Sequence, residues 1–114
     1  MNRNITFQLL LIIILLAACK QKSNETIIAF GSCGDQDWPQ PVLTLAANNK
    51  PDAFIFLGDN IYGDTDNMDT LNYKYQRWMA QPDYKKLENS TKIFAIWDDH
   101  DFGVNDGGSW YPKK

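Results

Sequence analysis

The sequence predicts an α/β domain: a β-α-β-α-β unit with parallel strands. Three short, mostly apolar runs, Thr26–Phe30, Ala53–Leu57 and Lys92–Trp97, are rich in β-branched and aromatic residues and read as strands. Segments of helical periodicity separate them, as parallel pairing requires. The strands are also nearly continuous in apolar residues, which implies a sheet covered on both faces.

The first strand ends at Gly31-Ser32-Cys33-Gly34, and Asp35–Pro39 is a loop. Pro41 sits in the first turn of a helix running to Asn49, with Val42, Leu45 and Ala46 as its apolar face. Lys50-Pro51-Asp52 breaks it before the second strand, which ends at Gly58-Asp59-Asn60. Tyr62–Asp69 is turn-rich and acidic. Thr70–Ala80 is helical, with Leu71, Tyr75, Trp78 and Met79 as a core stripe, and Asp83–Asn89 forms one more short helix. The third strand leads into Asp98-Asp99-His100-Asp101, three carboxylates around the single histidine. Asn105–Gly108 is a turn.

Residues 1–18 have the pattern of an export signal. Arg3 supplies the positive start, and Leu9–Ala18 is an unbroken apolar run of 10 residues, too short to span a bilayer as a helix. It ends in Leu16-Ala17-Ala18-Cys19, which resembles the bacterial lipobox. Cleavage before Cys19 and acylation of its thiol would anchor the chain in the cell envelope, with residues 19–25 as a polar tether. The alternative is an ordinary secretory signal.

Without residues 1–18 the chain keeps 96 residues and a net charge of −4, one small domain. That balance argues against a nucleic-acid partner, which favours a basic face. Twelve of its fourteen acids are aspartate, the short carboxylate of turns, caps and rigid metal shells. With Cys19 lipidated, Cys33 is left as a lone thiol, an ordinary buried cysteine or a ligand.

The strand ends carry the chemistry. Right-handed crossovers bring Cys33, then Asp59 and Tyr62, then Asp98–Asp101, to one edge of a parallel sheet. Aspartate oxygens suit calcium, magnesium or ferric iron, a thiolate is a softer ligand, and a phenolate favours Fe(III). Together they imply a mixed or dinuclear site. The bland reading of Asp98–Asp101 is a solvated loop whose aspartates cap the next segment.

Other chemistries fit less well. No Gly-x-x-x-x-Gly-Lys-Ser/Thr element is present, so nothing in the sequence points to a P-loop. Asp64–Asp69 has Met68 at a ligand position and no glycine at its sixth, so it reads as solvated loop rather than a calcium loop. Ser32 lacks the Gly-x-Ser-x-Gly elbow of a hydrolase triad with His100 and Asp101.

Phe30-Gly31-Ser32-Cys33, Phe56-Leu57-Gly58-Asp59-Asn60-Ile61-Tyr62 and Trp97-Asp98-Asp99-His100-Asp101-Phe102-Gly103 resemble, in order, the motifs of the PhoD-like alkaline phosphatase/phosphodiesterase family. This is a branch of the calcineurin-like metallophosphoesterases, close to purple acid phosphatases. The resemblance covers Thr26–Gly108. It implies a two-sheet α/β sandwich of which this chain supplies the first half. It also implies hydrolysis of phosphate mono- and diesters by a metal-activated hydroxide, with iron (Fe3+) and calcium as cofactors and other divalent metals as substitutes. Cys33 would be an iron ligand, Asp59 the bridging carboxylate, Tyr62 the phenolate on Fe(III) and Asp99 a ligand to calcium. His100 would stabilise the transition state or protonate the leaving oxygen, with Asp101 orienting its ring. Asn60 and Asp98 are secondary candidates.

The chain departs from that pattern in having one histidine, so half the family's metal shell is missing. The expectation is an N-terminal fragment of the domain, weakly active or inactive alone, with one face of its sheet exposed. The competing class is a non-enzymatic, membrane-anchored lipoprotein that binds metal or a protein partner through the same half-site.

Overall fold

β1 (Ile28–Gly31), β2 (Ala53–Leu57) and β3 (Lys92–Ile96) form one parallel sheet in the order β1-β2-β3. A computed structural model of the chain describes residues 25–112. The signal segment 1–18, Cys19 and the tether up to residue 24 lie outside the described residues. Between the strands lie α1 (Pro41–Asn48), α2 (Met68–Met79) and α3 (Pro82–Glu88), and a single turn, α4 (Asp99–Phe102), follows β3. Among the described residues no helix is long and apolar enough to cross a membrane.

The register pairs Ile28 with Ala53 and Ala53 with Lys92, and continues without a bulge to Gly31↔Phe56 and Leu57↔Ile96. Both crossovers step the same way across the sheet, so right-handed connections lay the helices on one face. On that face Phe54 and Phe56 meet Leu43 and Ala47 of α1, Leu71 and Trp78 of α2, and Tyr84 and Leu87 of α3. Phe56 packs edge-on to Trp78 at 4.9 Å, and Trp78 lies 4.8 Å from Tyr84. Each large side chain buried here contributes about 1.5–3 kcal/mol.

Among the described residues the sheet is covered on one face, which corrects the expectation of two covered faces and agrees with that of one exposed face. Ile28, Phe30, Leu57, Phe94 and Ile96 are exposed on the side opposite the helices, around a half-buried Ile55. A strand reads as apolar throughout whether one face or both are covered, so the apolar runs alone do not separate the cases.

The apolar face of α1 is also corrected. Leu43 and Ala47 are buried and Ala46 packs on the core, while Val42 and Leu45 are exposed. Asp83 of α3 sets this rotation. Its carboxylate accepts from the Gln40 backbone N–H at 3.1 Å and the Thr44 hydroxyl at 2.6 Å, at the positive end of α1. In α2, Leu71 and Trp78 are buried and Tyr75 partly so, but Met79 is exposed. That helix starts two residues before the expected Thr70, because Asn67 caps it by accepting from the Thr70 N–H at 2.9 Å.

Candidate metal centre at the strand ends

The loops after β1 and β2 stay joined beyond the sheet. The Cys33 N–H donates to the Gly58 carbonyl at 3.3 Å, and the Gly34 N–H to that of Asp59 at 2.7 Å. Gly58 has φ +100°, and a Cβ there would lie 2.7 Å from Cβ of Asp98, so only glycine lets the ends of β2 and β3 come this close. Cys33 and Asp59 themselves hold left-handed backbone, at φ 59° and 50°. Non-glycine residues adopt it at a cost that the surroundings must offset, and such residues cluster at functional sites.

These turns bring ligating atoms together. One atom each from Asp59, Asp99 and His100 lie within 4.8 Å of one another. The Cys33 thiol, exposed and unpaired with any other cysteine among the described residues, donates to Asp59 Oδ2 at 3.7 Å. The Tyr62 ring lies 4.5 Å from that of His100. Burial, then the charges of Cys33 and Asp59, raises the Tyr62 hydroxyl above its ordinary range.

Asp59 is poised for a cation. Its Oδ1 is buried without a hydrogen-bond partner. Burial first, then the charges of Asp99 and Asp98, raises its carboxyl, against the lowering pull of His100 and the Cys33 thiol. An orphaned buried oxygen among three carboxylates is costly until a cation neutralises it. The two carboxylates and the imidazole form a group that could hold a metal ion; Cys33 reaches it only through Asp59, and Tyr62 through its ring contact with His100.

Asp64 holds the histidine. His100 Nδ1 and Asp64 Oδ1 are 2.6 Å apart. Burial opposes a charge on the ring, but the Asp64 contact and the charges of Asp99 and Asp59 outweigh it and raise the pKa. The backbone locks the same loop, with the Gly63 N–H donating to the His100 carbonyl at 3.0 Å. Lys74 clamps it from α2, donating to the Tyr62 and Gly63 carbonyls, both at 2.8 Å. Gln36, buried, receives the Tyr62 N–H at 2.9 Å. Asp64 stood in a stretch that reads as solvated loop. The available signal was its place in the same loop as Asp59 and Tyr62.

The expected role of Asp101 is corrected. Its side chain is buried, and its Oδ1 accepts from the Asn60 N–H at 2.9 Å, the Ile61 N–H at 3.3 Å and the Tyr75 hydroxyl at 2.9 Å. Oδ2 accepts from Asn60 Nδ2 at 3.2 Å and the Asp98 N–H at 2.9 Å. With those bonds Asp101 welds the end of β2 to the end of β3 and leaves the ring to Asp64. Asn60 serves the same weld, donating from Nδ2 to the Ile96 carbonyl at 2.8 Å. Asp98 and Asp101 form a capping box on α4, with Asp98 accepting from the Asp99 N–H. The two readings of Asp98–Asp101 thus divide by residue: the outer pair caps, and the inner pair faces the cluster. Asp99 is itself tied to the Asp106 N–H of the following turn.

No family model, curated protein or solved structure matches the chain.

Proposed function

We propose that this strand-end site serves metal-dependent hydrolysis of phosphate mono- and diesters, in the manner of the PhoD-like phosphatases the sequence resembles. The observation that carries the reading is the convergence of Asp59, Asp99 and His100 around an oxygen with no partner. Cys33, Asp59 and Tyr62 would hold ferric iron, and Asp59 and Asp99 calcium. When bound, such ions activate water and neutralise phosphoryl oxygens.

The chain's own residues do the rest. Asp64 on Nδ1 fixes the His100 ring and leaves Nε2 as the nitrogen for the substrate. The Asp64 contact, which raises the ring's pKa, favours a proton there for donation to a phosphoryl or leaving oxygen. Asp101 and Asn60 hold the strand ends in register, so that Asp59 and His100 keep their spacing. A single group of ligating carboxylates and imidazole occurs among the described residues. We further propose that the 114-residue chain alone is weakly active or inactive, since with one histidine it supplies half of the family's metal shell. Leu16-Ala17-Ala18-Cys19 supports export and lipid anchoring at Cys19 in a bacterial envelope.

The decisive test is binding, which does not depend on turnover. Calorimetry should detect calcium and ferric iron on the chain, and orthophosphate only after metal. Phosphate binding that ignores the metal would remove the phosphoesterase reading. Metal without phosphate favours the second reading, a lipoprotein that binds metal or a protein partner, which the uncovered sheet face also supports.

A further inference from the structure

We propose that Lys74 is a positioning residue for the strand-end centre. By holding the carbonyls of Tyr62 and Gly63, its ammonium fixes the loop from which Tyr62 and Asp64 reach His100, and so sets how tightly the centre binds a divalent cation. This role rests on the metal reading of Asp59, Asp99 and His100.

Lys74 stands where a lysine is costly. It shares one stripe of α2 with Leu71, Tyr75 and Trp78, the residues of that helix packed in or against the core. A lysine on such a stripe gives up hydration that hydrogen bonds must replace. Two of its three ammonium protons go to the Tyr62 and Gly63 carbonyls, both at 2.8 Å. The half-buried side chain is thereby committed to one loop.

The loop is seated tightly. A Cβ at Gly63 would run into Leu71 and the His100 carbonyl, so the backbone lies flat between α2 and α4. Gln36 and the His100 carbonyl hold its amides, receiving the Tyr62 and Gly63 N–H groups at 2.9 and 3.0 Å, and Lys74 holds its carbonyls. From the peptides so fixed, the Tyr62 ring lies 4.5 Å from the His100 ring, and Asp64 Oδ1 lies 2.6 Å from Nδ1. Groups that orient metal ligands without touching the ion change affinity by about tenfold to a hundredfold when removed. Charge alone would act the other way. An ammonium this close to a cation site repels the cation, so a Lys74 that worked only through space would weaken binding. The sign of the change on removing it tells positioning from repulsion.

Lys74→Met in the full chain keeps the aliphatic stem and removes the donor. Without metal, proton NMR should show the cross-relaxation between the Tyr62 and His100 rings in the wild type and lose it in the variant, with faster exchange of the Gly63 amide. Calorimetry with calcium alone should show binding weakened about tenfold or more. Lys85→Met, which removes the same charge from the exposed side of α3, should leave both readouts in place. Circular dichroism checks folding, and Lys74→Gln, too short to reach both carbonyls, replaces Lys74→Met if that variant does not fold. A ring contact that persists in the folded variant overturns the proposal whatever the affinity. So does unchanged calcium binding, which would make Lys74 merely structural, and so does tighter binding, which would make it a repelling charge. A wild type that binds no calcium overturns the metal reading and the claim on affinity, while the ring contact still decides whether Lys74 positions the loop.

Discussion

His100 Nδ1 rests 2.6 Å from Asp64 Oδ1, across 36 residues of chain, while the carboxylate next to it in sequence, Asp101, is spent on backbone amides and Tyr75. The ring is therefore positioned by the loop that also carries Asp59 and Tyr62. Any shift of that loop moves the imidazole together with Asp59 and Tyr62.

The first prediction concerns this pair. In the metal-free chain, Asp64→Asn should lower the His100 pKa, because Asp64 contributes both the hydrogen bond and the nearest charge that raise it. The folded value lies above the ordinary 6.5 or so, so the pair's stabilisation is fully present below that value and is lost as pH rises through the raised one. Proton NMR of the single imidazole reads the shift directly. An unchanged titration in Asp64→Asn would show that the contact does not hold the ring in solution.

Asp101→Ala should be among the most destabilising substitutions in the domain. It removes a buried carboxylate that accepts from three backbone amides, Asn60 Nδ2 and the Tyr75 hydroxyl. Unpaired buried donors cost about 1–3 kcal/mol each, so a loss of about 3 kcal/mol or more is expected in urea unfolding. The Tyr75 hydroxyl, now held well above its ordinary range by burial and by Asp101, should titrate lower in the variant. A loss below about 1 kcal/mol would make Asp101 a surface cap and nothing more.

Much of this arrangement can be read before folding, and the unread parts have physical causes. Ala53–Leu57 is identified to the residue because five apolar residues between Asp52 and Gly58 leave no other register. That Cys33, Asp59, Tyr62 and the stretch Asp98–Asp101 share one edge follows from parallel strands, whereas Asp99 and His100 are singled out within that stretch only by the family resemblance. The rotation of α1 does not, because Val42-Leu45-Ala46 and Leu43-Ala46-Ala47 are equally good stripes until Asp83 of a later helix chooses. Asp64 shares a loop with Asp59 and Tyr62, but its pairing with His100 is hidden for a similar reason. Its partner is a tertiary neighbour, and sequence adjacency points to Asp101 instead.

Gly58→Ala should damage stability and metal binding together. The residue combines φ +100° with a 2.7 Å approach to Asp98 Cβ, so the methyl group must push β2 and β3 apart where Asp59 and Asp99 converge. About 1–3 kcal/mol of destabilisation is expected from the backbone conformation alone. Gly108→Ala serves as the control, since the added carbon would meet Trp110 no nearer than 3.4 Å, an ordinary contact. Equal thermal midpoints for the two variants would refute the steric account of Gly58.

Asp59→Asn separates a metal ligand from a structural carboxylate by the sign of its effect. Without metal, Asp59 is a liability: Oδ1 is buried and unpartnered, and burial with the nearby Asp99 and Asp98 disfavours its charge. Neutralising it should leave the metal-free chain as stable as before, or more so. With metal the order reverses. Calcium at a hundred times its dissociation constant should stabilise the wild-type chain by about 2.7 kcal/mol, visible as a rise in thermal midpoint. Asp59→Asn should lose that rise, with at least a hundredfold weaker binding by calorimetry. A structural carboxylate would behave oppositely, since its removal would destabilise the metal-free chain and leave the calcium-induced rise in place. The crossing of the two stability curves, rather than either alone, marks Asp59 as the residue that the cation completes.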